Sequence, residues 1–386
     1  MRQERQIALL RQVAEAGPSL KGLHAPQSRW QSTQSYSDPA RFALERSRLF
    51  RQGVVFFGLS ADLANPGDYR ALRVGGIPLL VVRQADGTLQ ALVNACRHRG
   101  APLVEPFSTG NLRSTLACPY HAWTYELNGT LRARPGDSGA FDDVAENCNL
   151  LSRPVAEAHG LIFLRPKGQA PIDLAETLGG IGDDLGAFKL DSYVHIDTRV
   201  HDWDINWKLF FDTFSESYHI RSLHRSSIAP TFNSDCSIFE AFGKNLLSVG
   251  LRNNVFDEFA KPEAEWSLLP YGTIQYFLMP NGLVVHQLDH FEVWVVEPIG
   301  VNQTRTTTSV YAPQAPATEK ARNYFVKNLD LLLSVTGGED FALMAEIQRT
   351  LDAGALPEFL YGRIEPALLH FHAQLDRLLE QDPPAP

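Results

Sequence analysis

Cysteine is scarce in this sequence, with four residues in 386. Cys148 and Cys236 read as buried thiols, not as a bridge, so a reducing cytoplasm is the expected compartment. No apolar run is long enough to span a bilayer, and the stretch from Met1 to Gly17 is charged and helix-patterned, unlike a signal peptide. Positive charge is not in excess. The 35 Lys and Arg against 44 Asp and Glu give a formal charge of -9, which argues against a nucleic-acid partner and for a mildly acidic soluble protein. Internal repeats, low-complexity tracts and flavin or nicotinamide fingerprints are missing too. What remains is a chain with 44% hydrophobic residues, ample for two cores.

The cysteines that are present stand in two short clips. Cys96-Arg97-His98 is followed, after a nineteen-residue gap, by Cys118-Pro119-Tyr120-His121. A pair of Cys on one iron and a pair of His on the other make a 2Fe-2S cluster of Rieske type, whose neutral imidazoles raise the potential. Zinc is the rival reading, because paired Cys and His clips also build tetrahedral structural sites. Each clip here joins one Cys to one His, and the first is as tight as C-x-H, which favours the cluster.

A second group of ligand-type residues lies downstream. Asn206-Trp207-Lys208 leads into Asp212, Glu216, His219 and His224, which scan as one helix with Asp212, Glu216 and His219 on a shared face. At regular pitch His224 would fall roughly 140° round from His219. Either the helix ends before His224 or a π-bulge brings the pair together. Two imidazoles suit ferrous iron, and a carboxylate from elsewhere would complete a facial triad with positions open for dioxygen. Glu339 and Asp340 are candidates, although the same two residues could merely favour a helix N-terminus.

The segments from Asn94 to Ala101 and from Cys118 to Trp123, taken with the second group, resemble the alpha subunits of Rieske non-haem iron oxygenases. These are the aromatic-ring-hydroxylating family and its demethylating relatives. The resemblance runs from about Phe42 to Phe371. It implies an α+β chain: an N-terminal all-β Rieske 2Fe-2S domain, then a C-terminal helix-grip (START-like) catalytic domain with an antiparallel sheet. With the composition shift near Gly168 to Gly180, the expected division is a helical extension over 1–45, a Rieske domain over 46–167 and a catalytic domain over 168–386. The extension would pack on a partner subunit or on the second domain.

The resemblance also implies roles. Cys96, His98, Cys118 and His121 would hold the cluster, and His219, His224 and Asp340, preferred to Glu339, would hold a mononuclear Fe(II). Glu216 would link His121 of one subunit to His219 of the next in a homotrimer, while Asp212 and Asn206 could lie just outside the iron ligands. The linking residue is more often Asp in ring-dihydroxylating members and Glu in several that oxidise quaternary amines, which weakens a default to cis-dihydroxylation. Electrons would come from an NAD(P)H-dependent reductase, alone or with a ferredoxin, to act with O2 on a small organic substrate. An aromatic compound is the first expectation and a quaternary amine or a methoxy or N-methyl substrate the second. A Rieske electron-transfer protein without oxygenase activity is the reading from another class.

Finer expectations concern hairpins and the pocket. Asp86-Gly87 and Asn128-Gly129 mark two hairpins, the second suited to a type I′ turn. Pocket walls should come from residues 226–259 and 273–296, which carry Phe232, Phe239, Phe242, Phe256, Tyr276, Phe277, Phe291 and Trp294. Arg221, Arg225 or Arg252 could hold one substrate carboxylate. His286 and His290 share parity on one strand-like run, while His370 and His372 read as structural.

Overall fold

The computed structural model describes residues 1–144, 147–235 and 237–380. Cys236 lies outside the described residues, and Cys148 is half-buried. Short antiparallel strands build the region of the two clips. Asp68–Val74, Ile77–Arg83 and Leu89–Val93 pair in register at the centre of a five-stranded sheet. The two-residue period of a strand sorts its side chains: Leu80 and Val82 enter the core beneath the clips, while Leu79 and Val81 enter the core on the opposite face. The second clip is the loop between Thr115–Ala117 and Thr124–Glu126 in a separate three-stranded sheet.

Both expected hairpins form, but with a different turn. Gln84 and Glu126 carbonyls accept from the Gly87 and Gly129 amides, and the glycines alone take positive φ, +85° and +91°. That is a type I turn with a bulged glycine, not the type I′ turn expected at Asn128-Gly129. Asp86 Oδ1 and Asn128 Oδ1 each accept from the amide two residues on, at 2.9 Å, which holds those residues in the ordinary right-handed region.

The second half is a seven-stranded antiparallel sheet. Its spatial order is Val194–Trp203, Gln303–Ala312, His290–Gly300, Gly282–Gln287, Gly272–Leu278, Asn245–Leu251, Ile238–Phe242. Both faces are covered. Phe291, Val293 and Val295 pack on one core, whereas Trp294 and Val296 pack on another beneath the helices Trp207–Phe214 and Pro366–Glu380. A helical run from Glu319–Val335 through Ala342–Asp352 closes the second face, which gives the helix-grip layout.

The N-terminal segment packs on this second domain. Leu9, Leu10 and Val13 of the Gln3–Ala16 helix are fully buried in the core of the first face, and Arg5 Nε reaches Asp184 at 3.0 Å. Arg29–Ser32 pairs antiparallel with Glu358–Tyr361. The two halves are joined by polar contacts as well as apolar ones: Asn281 exchanges two hydrogen bonds with the Phe56 backbone at 2.8 and 2.9 Å, and Asp62 takes both Arg70 and Tyr311. Among the described residues no helix is long and apolar enough to cross a membrane.

Candidate metal centres and active site

Each clip is a closed backbone loop. The Cys96 carbonyl accepts from Gly100 and the Cys118 carbonyl from Ala122, with Gly100 and Ala122 at φ +74° and +56° turning the chain back. Both thiols are 4% exposed, whereas His121 is exposed and stands with Tyr120 at the tip. The imidazoles converge, His98 Nδ1 lying 3.1 Å from His121 Nδ1. Tyr125 OH sits 3.2 Å from Cys96 Sγ and accepts from the Arg97 amide, which ties the first clip to the core. Burial pushes the Cys96 thiol up, so a bound metal is what would keep it as thiolate.

Geometry separates the cluster from zinc. Among the described residues only His219, His224 and Asp340 bring ligand atoms within 4.8 Å of one another, and no three of Cys96, His98, Cys118 and His121 do so. The four are too spread for one tetrahedral ion and fit a binuclear group, thiolates at one end and imidazoles at the other.

The second group does not lie on one helix, as its spacing predicted. The helix Trp207–Phe214 stops at Ser215, whose Oγ donates to the Phe211 carbonyl at 2.6 Å. Glu216 then caps the next turn by accepting from the His219 amide at 3.1 Å. His219 and His224 flank the one-turn helix Ile220–Leu223, which removes the angular mismatch of a regular pitch. The π-helical turn lies elsewhere, at Thr336–Phe341 inside the long helical run. Glu339 and Asp340 are therefore not at a helix N-terminus. The wider turn lets these neighbours reach the same imidazole: Glu339 Oε2 is 2.8 Å from His224 Nδ1, and Asp340 Oδ1 is 3.1 Å from His224 Nε2.

The result is a matched set. Glu216 Oε1 meets His219 Nδ1 at 2.5 Å as Glu339 meets His224 Nδ1, which places a proton on each Nδ1 and leaves each Nε2 bare. Asp340 Oδ1, 3.4 Å from His219 Nε2, is buried and has no hydrogen-bond donor. Three lone pairs thus converge on one point, an arrangement that suits a cation and is repulsive without one. A proton on His224 Nε2 competes for the same point: burial disfavours charge on His224, but Asp340, 3.1 Å away, and Glu339 outweigh it and raise its pKa. Two imidazoles and one carboxylate with open positions is the donor set of a non-haem ferrous site.

Asp212 and Asn206 turn away from this centre. Asp212 Oδ1 lies 2.8 Å from His372 Nε2, and its Oδ2 accepts from Tyr36 OH at 2.5 Å, in a buried network that Tyr361 completes. Asn206 caps the Trp207–Phe214 helix through the Lys208 amide and donates to the Tyr36 and Val301 carbonyls. Lys208 and Trp207 both bind buried Glu45, so the Asn-Trp-Lys segment anchors the helix.

The triad lines a cavity of about 280 Å³ between the sheet and the Glu319–Val335 helix. Of the eight aromatics expected there, only Phe232 lines it; Phe242, Phe256, Tyr276 and Phe291 fill one core, and Phe239, Phe277 and Trp294 the other. Phe214 and Tyr324 are the additional rings. His286 and His290 sit on separate strands joined by a tight turn, and they face opposite ways. His286 pairs across with Phe291 and stacks near Phe188, whereas His290 faces the cavity. Arg252 also lines it, while Arg221 pairs with Asp235 outside.

Sequence reasoning passed over Glu292 and Gln275, which lie on the wall with buried oxygens, Oε2 and Oε1, that have no partner. The signal was a single carboxylate inside the apolar strand Phe291-Glu292-Val293-Trp294.

Comparison with known proteins agrees with both centres. Residues 53–145 match the Rieske [2Fe-2S] domain, and 190–381 match the ring hydroxylating alpha subunit (catalytic domain). The glycine betaine monooxygenase oxygenase subunit of Chromohalobacter salexigens is 33% identical, over 85% of this chain and 80% of its own length. The structure of the quaternary ammonium Rieske monooxygenase CntA with L-carnitine superposes with a TM-score of 0.77 at 21% identity, covering 92% of this chain and 97% of that one. Naphthalene 1,2-dioxygenase with indole superposes at 0.73 and 18% identity, covering 91% and 92%. These two likenesses speak to the fold. The chain belongs to the alpha subunits of the Rieske non-haem iron oxygenases, iron-dependent enzymes that carry a Rieske 2Fe-2S cluster and a mononuclear iron.

Proposed function

We propose that this oxygenase hydroxylates the C–H bond beside nitrogen in a small N-methylated ammonium compound and releases the methyl carbon as formaldehyde. The observation that carries the reading is Glu292, a carboxylate 3% exposed on the cavity wall whose Oε2 has no partner. Oε1 of this carboxylate faces His290, whereas Oε2 is left open on the cavity side of the pair, where a cationic substrate would match it. His290 Nε2 stands 3.5 Å from Glu292 Oε1 and its Nδ1 2.9 Å from Asp289; burial disfavours charge on His290, but the two carboxylates outweigh it and raise its pKa, so the wall carries two carboxylates around one imidazole. A neutral arene would leave Glu292 and Gln275 unmatched and would find ring faces only at Phe214, Phe232 and Tyr324. The glycine betaine relative supports the same choice.

In this reading Cys96, His98, Cys118 and His121 ligate the cluster, and His219, His224 and Asp340 ligate the iron. When bound, the cluster supplies electrons singly and the ferrous ion supplies the site of dioxygen activation. Glu216 and Glu339 hold the two imidazoles with Nε2 inward. One atom of O2 enters the substrate C–H bond; the other leaves as water with two electrons and two protons. The hydroxymethyl ammonium then collapses to amine, formaldehyde and a proton. The electrons come from an external NAD(P)H-dependent reductase, alone or with a ferredoxin.

Glu216 is also the bridge between copies of the chain in a homotrimer. Support lies in the exposed His121 beside Tyr120, itself 55% exposed, and in Tyr218, equally exposed next to the Glu216 turn. The test supplies a Rieske reductase and compares trimethylammonium compounds with benzoate. Formaldehyde in step with O2 uptake on the ammonium compounds is expected. A dihydrodiol from benzoate, with no formaldehyde from any amine, rules the reading out.

A further inference from the structure

The cavity has a second charged feature, where it meets a neighbouring one. Arg252 follows the Asn245–Leu251 strand, is fixed by its amide to the Tyr271 carbonyl at 2.8 Å, and stands opposite Phe232 in an isolated bridge. Its guanidinium lies 5.2 Å from the Phe232 ring centroid, and its buried Nε has no partner. Arg252 and Leu288 line both the inner cavity and a shallower outer one edged by Pro230, Asn253 and Pro270. The metal ligands line the inner cavity alone. Arg252 therefore stands at the mouth, where the two cavities meet, while the triad and Glu292 line the inner space alone.

We infer that Arg252 is a specificity-determining residue that binds a carboxylate on the substrate, so that the compound oxidised is a zwitterion with its ammonium at Glu292 and its carboxylate at the mouth. The inference rests on the amine reading above and adds the second charge. Two features beyond simple charge support it. The guanidinium is oriented by the Phe232 face and carries an N–H with no protein acceptor, and a planar fork of donors is the group best matched to a carboxylate. The unsatisfied oxygens on Glu292 and Gln275 belong to the inner cavity alone, so one ligand with charges of opposite sign at its two ends satisfies both sets. A cation without a carboxylate leaves Arg252 unmatched.

The experiment uses the full-length holoenzyme with a reductase, wild type and the variants Arg252→Gln and Arg252→Lys. Substrates are γ-butyrobetaine or glycine betaine, each paired with choline or another trimethylammonium compound that lacks the carboxylate. Wild type should favour the betaines in kcat/KM by tenfold or more. Arg252→Gln should cut that preference about tenfold, chiefly through KM, and Arg252→Lys should restore part of it. Isothermal titration of the betaines should show the same weakening without turnover, and an unchanged visible cluster spectrum certifies the fold. A preference for the carboxylate-free cation, or a betaine preference that survives Arg252→Gln, overturns the inference while the amine reading stands. Oxidation of benzoate and of no ammonium compound overturns both.

Discussion

At the scale of single residues, the centre is defined by which nitrogen of each imidazole is free. Glu216 and Glu339 occupy the Nδ1 positions, and Asp340 faces both Nε2 atoms. His219→Ala should abolish turnover, remove one iron per chain by elemental analysis and leave the cluster's visible spectrum intact. Glu339→Gln keeps the shape but weakens the hold on His224, and iron affinity should fall about 10- to 100-fold, measured by chelator competition. His286 offers a test of a different kind. Burial among Phe188 and Phe291 lowers its pKa to about 4 from an ordinary 6.5. Between those values the unfolded chain binds a proton that the folded chain refuses, so stability is intact above pH 7 and declines as pH falls. From pH 7 to pH 5 the wild type should lose about 2 kcal/mol more than His286→Leu in denaturant titrations. Equal losses would show that His286 is not the acid-sensitive group.

At the scale of elements, the decisive feature is where helices break. Spacing alone suggested one helix through Asp212, Glu216 and His219, yet Ser215 and Glu216 stop it and restart a single turn between the two imidazoles. Side chains that compete for backbone partners decided this, and a count of residues does not reveal them. Asn206 shows the same principle at the other end of the helix. Its three contacts, to the Lys208 amide and the Tyr36 and Val301 carbonyls, are structural. Asn206→Ala should lower unfolding free energy by about 2 kcal/mol, from a lost cap and two buried carbonyls left without donors. The chemical denaturation midpoint should move, whereas iron content at low temperature should not.

At the scale of the whole molecule, the sheet is buried on both faces, and its two faces serve different purposes. One carries the core shared with the N-terminal helix and the Rieske half; the other carries the helices and the cavity. Among the described residues, the hydrogen bonds of His98 and His121 do not reach the triad. In the homotrimer proposed above, the route for electrons crosses between copies of the chain. Mixing a Cys96→Ser chain with a Glu216→Ala chain, each inactive alone, should regain about a quarter to a third of wild-type turnover after co-refolding or co-expression, on the order expected if each mixed assembly retains one intact junction. No recovery would show that both centres must be intact in the same copy.

The sequence by itself determined the chemistry of the ligands and the family, because the Cys and His clips are short and their spacing is a property of the chain. It also placed the strands around the clips, where a two-residue period is strong. What only the tertiary structure decided was convergence. The meeting of Asp340 with both Nε2 atoms, the placing of Glu292 and Arg252 on the wall of one cavity, and the retreat of seven expected aromatics into the cores all depend on contacts between segments far apart in sequence. Such contacts are set by how a closed sheet face and an overlying helix share limited space, and no local pattern in the chain encodes which side chain is left facing the void.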